Sequence, residues 1–427
     1  MNKIVERLFR YIPPIAFISI FTGIQAPIGG LVVRPFDILF VVAILLLPAM
    51  KFSQNPWRRI GPVDVIVIVY YGYMMVANWL GGIFRGHHFT ENIQLLEYVV
   101  IYAVCRAYFS EPRNGRTFVF VCLWGLFLVA LVNMGYHLSI GRLVGYKLLD
   151  EPKLSYGLLA GISIFVVLTT KGQRFRWLYV LVMLAALPMM VLSGERKGWV
   201  AFIMSFSITI LVTQILLKKN AFENAFKMFF LAILGVGLLG VAIYLFRDNE
   251  YLERQLNSFS SIMDNITTEG IYSQDADSSS DESRLAMLDQ TIYYVKDSPI
   301  FGQGMGTFYL YHMHGEYNRI ATDYGLSGFF LYLMVYAVAM WQLLSKRVRA
   351  LSLTYWDGFM PWLYITYGFF LNQFLAGGGL NQVFLAIPIA MVAGQSLRSH
   401  PFPGPYPGPA YGHMMRPMPG SMMGRRF

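Results

Sequence analysis

Runs of 16 to 22 mostly apolar residues recur along almost the whole chain, and no other feature restricts its fold so strongly. A helix needs roughly 20 such residues to cross the hydrocarbon of a bilayer, because every backbone amide must be satisfied inside the segment. Twelve stretches qualify: Tyr11 to Gly30, Pro35 to Met50, Val63 to Phe84, Ile93 to Tyr108, Thr117 to Leu138, Leu154 to Thr170, Trp177 to Leu192, Gly198 to Leu217, Met228 to Phe246, Gly325 to Leu344, Phe359 to Leu375 and Leu380 to Leu397. With 56% hydrophobic and 14% charged residues, the chain has more apolar surface than a water-soluble fold can bury. The expected fold is an all-α polytopic membrane protein with about twelve transmembrane helices.

Lysine and arginine set its direction. If the N-terminus is cytoplasmic, 22 of the 34 basic residues fall in cytoplasmic segments, three in each of the first six. That is the positive-inside pattern, and it predicts that both termini are cytoplasmic. The net charge of +10 does not imply nucleic acid, because the basic residues are spread between apolar runs rather than gathered on one face. The N-terminus has a basic start and an apolar run but no small-residue cleavage site, so it is expected to remain as the first span. Cys105 and Cys122 fall inside spans and imply neither a disulfide nor a metal site.

Nine spans are expected within residues 1–246, an outer loop region over 247–324, three more spans within 325–397 and a tail over 398–427. The loop holds 13 acidic and 5 basic residues. In it, Ser279 with Glu282 has capping-box spacing, Leu285, Leu288, Ile292 and Val295 recur on one helical face, and Asp297-Ser298-Pro299 ends the run. The segment FGQGMGTF follows, its three glycines marking a tight backbone path without the order of a dinucleotide site. The Pro-, Gly- and Met-rich tail cannot build a core and is expected to be disordered.

Three outer segments carry side chains suited to chemistry. In Ser193-Gly194-Glu195-Arg196-Lys197-Gly198-Trp199, Arg196 and Lys197 suit a phosphate, a guanidinium donating two parallel hydrogen bonds; the alternative is a snorkelling pair at the headgroups. Arg284 sits in the first turn of the loop helix, unfavourably for the dipole, so an anionic ligand or an ion pair with Asp281 would hold it. His312 and His314 have no further cluster to complete a metal site, so no metal is expected; His314 suits a general base, with an interfacial structural role as the alternative. Asp37, Asn78, Glu97, Asn372, Gln373, Asn381 and Gln382 are polar groups near outer span ends that either line a sugar-accepting cavity or hydrogen-bond between helices.

Taken in order, these motifs resemble those of the bacterial O-antigen ligase and polymerase family. Ser193 to Gly198 is similar to its S-G-S-R-G turn, with Glu195 and Lys197 as departures. Arg284 follows on a loop helix, then Pro299-Ile300-Phe301-Gly302-Gln303-Gly304-Met305-Gly306-Thr307-Phe308, then His314 ahead of Gly325-Leu326-Ser327-Gly328. His314 and this G-x-x-G have the ligase spacing, while Gly315 departs from the usual Asn, Ser or Gln. Arg142 to Gly145 with Pro152 and Gly157 is similar to a further family region, Lys153 standing where asparagine is usual.

The resemblance implies a glycan transferase without metal or other cofactor, acting at the periplasmic face of the bacterial inner membrane. It makes His314 the catalytic histidine and Arg196 and Arg284 pyrophosphate contacts. Arg142, Lys153, Lys197, Tyr317 and Arg319 follow as substrate-binding residues. The implied donor is a glycan on undecaprenyl pyrophosphate; the acceptor is another glycan for a polymerase, or lipid A core for a ligase. Gly315 favours the polymerase of an O-antigen or exopolysaccharide. Membrane lipids and polysaccharide chain-length or export proteins are the other expected partners. The competing class is a transporter or flippase for a lipid-linked glycan, and a membrane scaffold is the blandest alternative.

Overall fold

Why each helix begins where it does is visible in the first half of the chain. The computed structural model describes residues 2–140, interrupted at 21–23, 25, 29–30, 53–54, 58 and 83–87, together with Gly237, Tyr244, 289–304, 316–344 and 379–397. Helix α1 spans Asn2–Ser19, followed by the antiparallel strands β1 (Ala26–Ile28) and β2 (Leu31–Val33). Helix α2 spans Pro35–Leu46 and runs into a 3-10 turn, Leu47–Ala49. Proline opens it, and the Asp37 carboxylate accepts the backbone N–H of Arg34 at 2.7 Å, meeting a donor that the helix leaves unpaired. Helix α3, Pro62–Gly82, repeats the device: Asp64 accepts the N–H of Gly61 at 2.6 Å. Helices α4 (His88–Phe109), α5 (Pro112–Ile140), α6 (Glu316–Leu344) and α7 (Gly379–Ser396) complete the described elements.

Two groups of helices share one core. Helix α1 packs against α2 and α5, while α3, α4, α6 and α7 pack on one another. The Tyr108 hydroxyl of α4 ties the first group on, lying 2.8 Å from the Arg10 carbonyl of α1 and 2.9 Å from the Asn114 carbonyl of α5. A buried ion pair joins α3 to α4: Arg106 meets Asp64, which also accepts from the Tyr102 hydroxyl at 2.6 Å. The same guanidinium donates to the carbonyls of Pro56 and Arg59 and lies 5.6 Å from the Trp57 ring centroid, so it pins the preceding loop as well. Arg106, counted among the cytoplasmic charges, is thus an internal brace.

Apolar side chains also cover the outside. Ile38, Val41 and Leu45 on α2, Val65, Ile68 and Val76 on α3, and Leu326, Phe330, Met334 and Trp341 on α6 are exposed. Stripes of this kind are at ease against lipid tails and unfavourable against water. Among the described residues, α3 over Pro62–Leu80 and α6 are long and apolar enough to cross a membrane.

Several expectations from the sequence are corrected. Residues 26–33 form a hairpin, not the end of a span from Tyr11 to Gly30, so the described fold is helical but not wholly so; α1 begins already at Asn2. Ile28 pairs with Leu31 across Gly29-Gly30, a sequence suited to a two-residue hairpin connection. Helices α4 and α5 each start five residues earlier than the spans expected from Ile93 and Thr117, and the long part of α6 follows a break at Gly325, where the span was expected to begin, with a short helix from Glu316 ahead of it. Helices α2, α3 and α7 lie where spans were expected, to within a few residues. In the outer segment the helix ends at residue 297, as Asp297-Ser298-Pro299 implies, but Thr291 is buried while Ile292 of the expected apolar stripe is exposed. The spans expected at Leu154–Thr170, Trp177–Leu192, Gly198–Leu217 and Phe359–Leu375, most of Met228–Phe246, and the tail lie outside the described residues.

Candidate functional site

A sharp reversal in α6 organises the region to which the sequence motifs point. The Tyr317 ring lies 5.8 Å from that of Tyr332 and 5.9 Å from that of Phe329. Fifteen residues of straight helix would separate such groups by about 22 Å. The bend is at Gly325, whose φ of 69° and ψ of −175° are non-helical. Residues 316–324 therefore form a short helix folded back on the long one that follows.

A bend of this kind leaves carbonyls orphaned at the end of the first helix and amides orphaned at the start of the second. A turn formed by residues 299–304 satisfies them. The carbonyls of Thr322 and Asp323 accept the backbone N–H groups of Gln303 and Gly304 at 2.9 and 3.0 Å, and that of Tyr324 accepts the Tyr73 hydroxyl of α3 at 3.2 Å. In return the Leu326 N–H donates to the Pro299 carbonyl at 2.8 Å. The Tyr73 hydroxyl also bonds the Ile300 carbonyl, and its ring stacks on Phe301 at 6.2 Å. Glycine is required on both sides. A Cβ on Gly302, where φ is +70°, would lie 2.5 Å from Asp323 backbone atoms, and one on Gly325 would lie 2.3 Å from the Ile300 oxygen. The two glycine motifs are thus halves of one backbone clasp.

Charge is buried directly below it. Arg319 donates to both carboxylate oxygens of Glu316, Nε at 3.0 Å, and its Nη1 lies 3.7 Å from Asp323. All three side chains are fully buried. The spacing i, i+3 and i+7 puts them on one face of the short helix, and Glu316 is near enough to tyrosines 71, 324 and 332 to interact with them electrostatically. A bidentate arginine pair holds its geometry tightly, and in so apolar a setting each partner depends on the other.

Of the residues singled out from sequence, Tyr317 is half-buried against Phe329 and Tyr332, and Arg319 has its guanidinium directed to Glu316 rather than to open space. Arg142, Lys153, Arg196, Lys197, Arg284, His312 and His314 lie outside the described residues. Three of the polar groups at span ends bond between helices: the Asn78 amide donates to Asn92 at 3.1 Å, and the Glu97 and Asp37 carboxyl groups are hydrogen-bonded to each other. Sequence reasoning missed Tyr73, Glu316 and Asp323. The two acids carried a legible signal in their spacing about Arg319; Tyr73 carried none beyond being one aromatic among many.

Among the described residues no group of three or more metal-ligating side chains comes together. Fold and site together define a helical protein with exposed apolar faces, in which a backbone clasp lies beside a buried ion pair. Residues 181–340 match the family model described as O-Antigen ligase, a little over a third of the chain that includes both halves of the clasp. The similarity to the O-antigen ligase family thus covers residues 181–340. No curated protein is similar enough in sequence to count as a match.

Proposed function

We propose that the protein is a metal-independent, inverting glycan transferase that polymerises repeat units carried on undecaprenyl pyrophosphate, at the periplasmic face of the inner membrane. The observation that carries this reading is the family match over 181–340, which contains Arg196, Arg284 and His314. The clasp lies within the same matched residues, and His314 precedes Glu316 by two positions in the sequence.

In this reaction His314 takes the proton of an acceptor sugar hydroxyl. The oxygen attacks the anomeric carbon from the face opposite the pyrophosphate, the anomeric carbon to phosphate-oxygen bond breaks, and undecaprenyl pyrophosphate leaves with the bonding pair. Arg196 and Arg284 stabilise the negative charge that grows on the leaving group, which is where fixed positive charge lowers a barrier most. Tyr317, with Arg142, Lys153 and Lys197, contacts the substrate. Arg319, its guanidinium engaged by Glu316, acts as a brace. A lipid A-core acceptor would make the same chemistry a ligase; Gly315 in place of Asn, Ser or Gln favours the polymerase. Chain-length or export proteins fit as partners of such a polymerase.

Purified protein in liposomes with lipid-linked repeat units tests this reading through Arg196→Lys and Arg284→Lys. Each keeps a positive charge but loses the bidentate fork, and each is expected to lose at least about tenfold in rate, consistent with the loss of a transition-state contact. Full rate in both variants would remove the arginines from the mechanism. In cells, loss of a transferase strands lipid-linked units on the outer face; accumulation on the inner face instead would favour a flippase.

A further inference from the structure

One side chain from the first half of the molecule closes the clasp. Tyr73 lies on α3, far outside the matched residues 181–340, yet its hydroxyl bonds the Ile300 carbonyl on one side of the clasp and the Tyr324 carbonyl on the other. The side chain of Ser327, in the first turn after the bend, is hydrogen-bonded to the same hydroxyl. Both glycine motifs therefore meet at one phenol oxygen.

We propose that Tyr73 is a positioning residue for glycan transfer, fixing the Pro299 to Gly304 turn against the bend at Gly325. This rests on the proposed function. The physical case is that of leverage. The turn and the short helix 316–324 are joined through backbone hydrogen bonds at 303 and 304, and Tyr73 fastens that unit to α3, a long membrane helix. Without the hydroxyl, the ring still stacks on Phe301, and the backbone hydrogen bonds of Gln303, Gly304 and Leu326 still join the turn to the bend. The loss is then one of alignment and not of folding. Misplacing a catalytic group by about 1 Å costs up to ~100-fold in rate.

The test compares wild type, Tyr73→Phe, Ser327→Ala and the lipid-facing control Phe330→Leu in liposomes with lipid-linked repeat units, measuring kcat, KM for the lipid-linked donor and thermal unfolding. Tyr73→Phe is expected to lose about tenfold in kcat, a partial form of such misalignment, with KM and melting temperature unchanged. Ser327→Ala should shift kcat in the same direction, and Phe330→Leu should match wild type. Wild-type kcat in Tyr73→Phe overturns the positioning role. So does a fall in kcat that tracks a fall in melting temperature, which means a purely structural role, or a rise in KM alone, which means substrate contact. If wild type itself yields no transfer, the proposed function and the positioning role fall together; wild-type transfer with an unimpaired Tyr73→Phe removes the positioning role alone.

Discussion

Position 325 admits glycine for two separate reasons. Its φ of 69° disfavours any side chain, and the Ile300 oxygen occupies the space where a Cβ would go. Gly325→Ala is therefore expected to cost more than about 2 kcal/mol, backbone strain and displacement adding together, read as a lowered melting temperature in detergent. Arg319 is critical in a different way. Removing it with Arg319→Met leaves Glu316 and Asp323 buried without their cation, at a cost of about 3–5 kcal/mol. Adding Glu316→Gln removes one of those stranded charges, so the double variant is expected to melt above Arg319→Met alone. A double variant that melts lower would show that Glu316 and Arg319 contribute separately.

Elements, more than single residues, decide how the clasp works. The short helix 316–324 ends in mid-core, and the turn at residues 299–304 supplies the partners that its own helix cannot. Gly302 and Gly325 serve the same close approach, so Gly302→Ala and Gly325→Ala are expected to be strongly non-additive, since once one Cβ has forced the backbones apart the other meets less resistance. Additive losses in a double-mutant cycle of melting data would separate the two sites. Helices α2, α3, α5 and α7 were legible as elements because lipid demands apolar runs and little else does. The hairpin at 26–33 was not, because eight small and apolar residues read equally well as the end of a span. Nor was the fold-back in α6: a helical pattern on both sides of Gly325 reports two helices without reporting the angle between them. The glycines at 302, 304 and 306 did signal a tight backbone path, but not which backbone it approaches. Tyr73 was hidden because the sequence separates it from its partner Ile300 by 227 positions.

Among the described residues, the first-half helices pack against the part of the matched stretch that carries the clasp. Tyr73 and the α3 to α6 packing are where the two meet. The charge pattern further predicts that the acidic loop faces away from the cytoplasm. A cysteine placed at Ser279 should react with a membrane-impermeant thiol reagent added to whole cells, against a low background because Cys105 and Cys122 are both buried. Labelling that requires opened cells would reverse the orientation. The central claim is that this protein joins glycans by displacing a lipid pyrophosphate with the help of His314. Its most direct measurement is the simultaneous appearance of lengthened glycan and free undecaprenyl pyrophosphate from purified protein in liposomes, wild type beside His314→Ala. Matched product and released lipid from wild type, with His314→Ala slower by at least about 100-fold, as for loss of a general base, is the expected result. Equal rates from the two proteins, or translocation of the lipid-linked unit without bond formation, would contradict it.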